Sequence, residues 1–108
     1  MNFEEYQKRT HETAVYPEDK ALDYLIHKLV SEVGEIAGHV GKYYRGDYDY
    51  VGAALPDILE YEIGDVQWYL SELCTHLGLD LDRVAENNLK KLADRKERGV
   101  LKGSGDKR

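Results

Sequence analysis

Cysteine is nearly absent: Cys74 stands alone among 108 residues. A single thiol excludes an internal disulfide and points to a reducing compartment, and Cys74 reads as a small packing or surface residue rather than a nucleophile. Also missing is any run of about 18 apolar residues, which excludes a membrane-spanning helix. No leader-like segment shows either, so a soluble cytoplasmic protein is expected. Positive charge is in deficit, with 15 Lys and Arg against 21 Asp and Glu and a net charge of −6. That balance argues against binding a nucleic-acid polymer through its backbone. A free nucleotide remains admissible, because a bound cation offsets local negative charge.

A chain of this length is one domain by the usual size relation, and its 42% of hydrophobic residues can bury a modest core. Small domains bury only about 60 to 70% of their unfolded surface. A second subunit is therefore a natural way to complete whatever apolar stripes the elements carry.

Those elements read as four helices. Asn2 to Thr13 has Phe3 and Tyr6 on one side and Glu4, Glu5, Lys8 and Arg9 on the other; it is too short to stand alone and must dock on the rest. Phe3, Tyr6 and Gln7 serve either as packing residues or as part of a base pocket. Pro17 breaks this helix, and the next runs from about Lys20 to Tyr44. Gly34, Gly38 and Gly41 interrupt it at roughly 1 kcal/mol each relative to Ala, which suggests either a close approach by another helix or a ligand, or chance. The turn residues of Arg45 to Pro56 make a loop. A third helix spans about Asp57 to Leu77 and stops at Gly78, and Asp80 is placed to cap a fourth from Leu81 to about Arg98. The glycines and charges from residue 99 to 108 describe an irregular tail, either flexible or draped over a neighbouring site.

Two acidic signatures fall inside the apolar-periodic runs: Glu32-Val33-Gly34-Glu35 and Glu62-Ile63-Gly64-Asp65. Residues three apart share a helix face, so each signature presents two carboxylates side by side. Glu32 lies on the shoulder of the stripe Leu22, Leu25, Ile26, Leu29, Val33, Ile36 and Val40. Glu62 lies on the edge of Leu59, Ile63, Val66, Leu70 and Leu73. If the two helices pack together, four anions meet in a partly dry crevice, and a hard divalent cation is what best relieves their repulsion. All-oxygen ligation without Cys or paired His favours Mg²⁺, with Mn²⁺ the alternative. The competing view is that a chain so acidic carries such pairs by chance, fully solvated. Trp68 and Tyr69, within a turn of Asp65, are candidates for contacting a nucleobase or for packing helix on helix. Lys42 and Arg45 either steady phosphates or complement a helix end. His39, one turn past Glu35, is a candidate hydrogen-bond partner for a substrate.

Three ordered blocks carry a family resemblance: Lys28-Leu29-Val30-Ser31-Glu32-Val33-Gly34-Glu35-Ile36, then Glu62-Ile63-Gly64-Asp65-Val66, then Asn88-Leu89-Lys90-Lys91-Leu92-Ala93-Asp94-Arg95. Together they resemble the MazG family of all-α nucleoside triphosphate pyrophosphohydrolases, over about Tyr6 to Arg98. The family pattern is Glu-Glu-x-x-Glu, a spacer, Glu-x-x-Asp, and a basic Asn-x-x-Lys-Leu-x-x-Arg helix. Ser31 stands where that pattern has its first Glu. The resemblance implies a single four-helix-bundle-like domain over residues 1–108, completed as a homodimer or homotetramer. It implies Mg²⁺-dependent hydrolysis of (deoxy)nucleoside triphosphates to monophosphate and pyrophosphate, in the service of nucleotide-pool house-cleaning. Glu32, Glu35, Glu62 and Asp65 take the metal positions, with Glu32 or Glu35 as the base for the attacking water. Asn88, Lys91 and Arg95 share one helix face that would hold the outgoing pyrophosphate, with Lys42 and Trp68 as further substrate contacts. Two other readings remain. A di-iron bundle expects Glu-x-x-His pairs, and none occurs. A non-enzymatic helical interaction module would leave all these carboxylates solvated.

Overall fold

The computed structural model describes residues 1–108 and is all-helical. Helix α1 is Phe3–His11, α2 is Ala21–Arg45, α3 is Leu55–Leu77 and α4 is Leu81–Glu97; short 3-10 turns at Glu18–Lys20 and Tyr48–Tyr50 precede α2 and interrupt the α2–α3 connection. The ends follow local chemistry. Asn2 caps α1 by accepting from the Glu5 N–H at 2.8 Å. Gly46 and Gly78 close α2 and α3 in the left-handed region, with φ of 78° and 70°, where a side chain would be strained. Helix α3 begins at Leu55, two residues before the expected start, because Pro56 fits the first turn, where no N–H is needed.

One expected cap is replaced. Asp80 occupies the N-cap position of α4 but makes no side-chain capping bond. Gln7 of α1 does the work instead: its Oε1 accepts from the Leu81 N–H at 2.8 Å, while its Nε2 donates to the Leu79 carbonyl at 2.8 Å and to Thr75 Oγ1 at 3.1 Å. One amide therefore joins α1, the end of α3 and the start of α4. Gln7 thus acts as a joint between these elements, and it also lines a hollow between α1 and α4.

Helices α2 and α3 form the main pair, and the contacts that cross between them fix their direction. His39 meets Glu62, whereas Tyr24 meets Tyr69, so ascending α2 matches descending α3 and the two run antiparallel. Helix α1 lies along the far part of α3, with Thr10 Oγ1 at 2.8 Å from Ser71 Oγ and Trp68 Nε1 donating to Thr13 Oγ1 at 2.9 Å.

Little of the apolar surface is covered. Only Ala21, Leu25 and Cys74 form a fully buried apolar core, against four buried polar residues, Thr10, Ser71, Glu72 and Arg95. The expected stripes split lengthwise. Leu25 is buried and Leu29, Ile36 and Val40 are half-buried, whereas Leu22, Ile26 and Val33 are exposed; on α3, Leu59, Val66 and Leu73 turn inward while Ile63 and Leu70 face out. On α4, Leu89 is 68% exposed. A Cβ added at Gly34, Gly38 or Gly41 would meet nothing within 4 Å, so no part of this chain makes the close approach those glycines suggested. The accessible surface is 8187 Å², where a compact monomer of 12.4 kDa exposes about 6100 Å². The radius of gyration, 17.1 Å, likewise exceeds the roughly 13 Å expected for this length.

Candidate active site

Antiparallel packing of α2 on α3 brings the two acidic signatures face to face. Glu32, Glu35 and Glu62 each place a carboxylate oxygen within 4.8 Å of the others. Glu32 and Glu62 are half-buried and Glu35 is exposed. Asp65 stands just outside this triad, one turn along α3, and lines a hollow together with Glu32. Three of the four expected ligands thus converge directly, with the fourth adjacent.

The electrostatics fit an incomplete set. Burial pushes the Glu32 carboxyl above its ordinary range, and the charges of Glu35, Asp65 and Glu62 push it further, while Lys28 one turn back pulls the other way. Glu62 Oε1 lies 3.3 Å from His39 Nε2, but Glu62 Oε2 is buried and accepts from no donor. A buried acceptor without a donor costs roughly 1–3 kcal/mol, and a cation removes that cost along with the mutual repulsion of the carboxylates. The donor set is all oxygen, which suits Mg²⁺ or Mn²⁺.

Beside the triad lies a hollow of about 340 Å³ whose walls include Tyr16, Tyr24, Trp68 and Tyr69. Tyr16 and Tyr24 stack with ring centroids 5.8 Å apart at 25°, and Trp68 meets Tyr69 edge-on at 4.9 Å and 80°. Burial first, then the hydrogen-bonded Tyr24 phenol, and then the charges of Glu32 and Asp65 push the Tyr69 phenol up to about 12. Burial and the hydrogen bond to Glu72 push Tyr16 up to about 12 as well. Both rings therefore stay neutral across the physiological range. Trp68 is oriented by its bond to Thr13 and presents its ring to the hollow. A larger hollow of about 880 Å³ lies between α1 and the start of α4, but it shares no residue with the triad and has one hydrophobic lining residue. Volume is a weaker guide than convergent chemistry, and the smaller hollow has both carboxylates and aromatic faces.

The basic residues are placed elsewhere. Lys42 is exposed at the end of α2, where Arg45 is held by Asp47 at 2.6 Å through Nε. Asn88 and Lys91 are exposed on α4, and Arg95 is 4% exposed. The 99–108 tail folds back over this face. Asp106 Oδ1 lies 3.5 Å from both Lys91 Nζ and Arg95 Nη2, and its main-chain carbonyl accepts from Arg95 at 2.9 Å. These two cations, Lys91 first, hold the Asp106 carboxyl below its ordinary range. Arg108 pins the turn by donating to the carbonyls of Val100 and Leu101, both at 3.1 Å.

Periodicity did not reveal Tyr16 and Tyr24 as walls of the hollow, nor that His39 would meet Glu62 rather than solvent. Tyr16 lies in a connection with no periodic signal, and Tyr24 faces away from the α2 stripe in a helical-wheel reading.

Fold and site together define an all-helical protein with an acidic centre able to accept a cation beside an aromatic hollow. The chain belongs to the MazG family: residues 20–100 match its nucleotide pyrophosphohydrolase domain. It is also similar to the Gene 37 protein of Mycobacterium phage L5, 40% identical over 114 aligned positions that cover all of both chains. No solved structure matches it.

Proposed function

We propose that the protein hydrolyses a nucleoside triphosphate between its α and β phosphates, releasing the monophosphate and pyrophosphate. The observation that carries this reading is the convergence of Glu32, Glu35 and Glu62 within 4.8 Å beside an aromatic hollow, in a chain of the MazG family. Glu32, Glu35 and Glu62, with Asp65 alongside, would hold Mg²⁺, or Mn²⁺ in its place. When bound, the ion supplies positive charge to phosphate oxygens and lowers the pKa of water.

The chain's own residues account for the rest. Glu32 or Glu35 takes the proton of the water that attacks the α phosphorus, since a carboxylate within hydrogen-bond reach suffices as base. The bond to the β-phosphate oxygen breaks and pyrophosphate leaves. Trp68 and the tyrosine walls receive the base, whose flat face matches theirs. Asn88, Lys91 and Arg95, which lie apart from the acidic triad within one copy, would take the pyrophosphate through charge-assisted bonds once it has left the centre, with Lys42 a further phosphate contact. Asp106 now sits where phosphate oxygens would pair with Lys91 and Arg95, so this role requires the tail to give way.

The whole of residues 1–108 acts as one domain, working in the cytoplasm on the free nucleotide pool, and a second copy completes it as a homodimer or homotetramer. The roughly 2000 Å² of surface beyond that of a compact monomer, about 4000 Å² over two copies, falls in the range that obligate interfaces bury. The outward halves of the α2 and α3 stripes supply its apolar character. Those same uncovered stripes favour a second reading, in which the chain is only a helical oligomerisation module. Raising Mg²⁺ separates the two: a site present only in the folded state raises the melting temperature, and a module without one does not.

The direct test is pyrophosphate release from the eight common nucleotides with Mg²⁺, repeated with Glu35→Gln and Asp65→Asn. Release at the wild-type rate by both variants would overturn the assignment of the site.

A further inference from the structure

The α2–α3 connection reaches the acidic centre through one side chain. Tyr50, in the 3-10 turn of that connection, places its hydroxyl 2.5 Å from His39 Nδ1, and the opposite ring nitrogen, Nε2, lies 3.3 Å from Glu62 Oε1. The rings of His39 and Tyr50 also touch, with centroids 5.8 Å apart. Both groups of the Glu62–His39 pair are largely shielded, at 17% and 29% side-chain exposure. A lone pair on Nε2 would face a carboxylate oxygen, acceptor against acceptor, so the hydrogen belongs on Nε2. In the neutral ring, Nδ1 then accepts from the Tyr50 hydroxyl. Tyr50 donates to His39, and His39 donates to Glu62.

We propose that His39 is a positioning residue for the acidic centre, and that Tyr50 locks it in place. By engaging Oε1, His39 fixes the torsion of the Glu62 carboxylate and leaves Oε2, the buried oxygen with no donor, free for a cation. Glu62 without this bond would swing between rotamers, and the ordering of one carboxylate would be added to the cost of binding. The Tyr50 bond matters because His39 sits on α2 while Glu62 sits on α3: the connection between the helices is thereby tied to the geometry of the site. A side chain that orients a metal-binding carboxylate contributes to affinity without touching the ion. This inference rests on the reading of Glu32, Glu35 and Glu62 as a cation site, and concerns a residue that the reading does not require.

Calorimetric titration of the metal-free protein with Mn²⁺ tests it, with far-UV circular dichroism and metal-free melting as checks on folding. His39→Phe keeps the ring but removes the donor and should weaken Mn²⁺ binding about tenfold or more. His39→Gln places an amide N–H near the position of Nε2 and should restore affinity to within about threefold. Tyr50→Phe removes one hydroxyl and should fall between them, which keeps the test open if His39→Phe folds poorly. Mn²⁺ affinity in His39→Phe and Tyr50→Phe equal to wild type overturns the positioning role alone. Equal losses in His39→Phe and His39→Gln also overturn it, since a bulk or packing effect would then suffice. A wild-type protein that takes up no Mn²⁺ overturns the cation site itself, and this inference with it.

Discussion

Glu62 and Glu72 lie on the same helix, both withdrawn from water, in opposite surroundings. The Glu72 carboxylate is fully buried and partnered on both oxygens: Thr10 Oγ1 lies 2.9 Å from Oε2, and the Tyr16 hydroxyl at 2.8 Å and His11 Nδ1 at 3.0 Å meet Oε1. All three partners come from α1 or the segment after it, so this carboxylate fastens the N-terminal region to α3. Glu62 has one neighbour on Oε1 and none on Oε2, and its other close companions are the like charges of Glu32 and Glu35. A buried carboxylate with both oxygens partnered holds a structure together. One left short of donors among other anions is prepared for something that arrives from outside. Burial alone does not tell these cases apart; the partner count does.

The largest effect should come from the open cluster. Glu35→Gln should reduce pyrophosphate release about a hundredfold or more, with the melting temperature of the metal-free protein unchanged or slightly raised, because Glu35 is exposed and its charge opposes that of Glu32. Steady-state assay and a thermal melt on one preparation check both halves. Loss of fold in that variant would erase its contrast with Glu72.

Glu72→Ala should do the reverse. Thr10, Tyr16 and His11 lose a shared partner, and stability falls by about 2–3 kcal/mol in a urea titration, while Mn²⁺ affinity stays at the wild-type value. Weakened Mn²⁺ binding would show that the two carboxylates are not separate devices.

A smaller effect distinguishes them by pH. The Glu32 carboxyl is raised in the folded protein, so its contribution to stability is fully present below the unfolded value, near 4.3, and is lost as pH rises through the folded value. Glu32→Gln should therefore melt slightly higher than wild type at pH 7 without metal, and the two should converge on acidification. Protons also compete for the same oxygens, so Mg²⁺ should stabilise the wild type less as pH falls. Melting curves from pH 7 down to about 4 test both directions.

The smallest effect concerns the tail. Asp106→Asn removes the charge paired with Lys91 and Arg95 and should leave the melting temperature nearly unchanged, as expected for an exposed partner. Limited trypsin digestion should then cut faster after Lys102 or Lys107. An unchanged digestion rate would mean that Arg108 and the main-chain contacts of Arg95 hold the tail without that charge.

Much of the helical reading was legible because its causes are local. The turns at Pro17 and Gly78, the glycine-closed ends and the spacing of Glu32 with Glu35 and of Glu62 with Asp65 all depend on residues within one or two turns. Asp80 shows where local reading stops. It had the right identity and position to cap α4, yet its side chain makes no capping bond, and the first N–H of the helix is met by an amide from Gln7, 74 residues away in sequence. The stripes show the same limit: periodicity identified Leu22, Leu25, Ile26 and Leu29 as one face, but not that Leu25 and Leu29 would be withdrawn from water and Leu22 and Ile26 left open.

By itself the amino-acid order determined four helices, which side chains share each face, and that two of those faces carry paired acids, since 3.6 residues per turn converts spacing into direction. Only the tertiary structure decided that α2 and α3 run antiparallel in a register that sets Glu62 against Glu32, Glu35 and His39. It alone placed Tyr16 and Tyr24 beside them and spent Glu72 on fastening α1. Register between helices depends on side chains distant in sequence interlocking across an interface, and no repeat along a single helix carries that information.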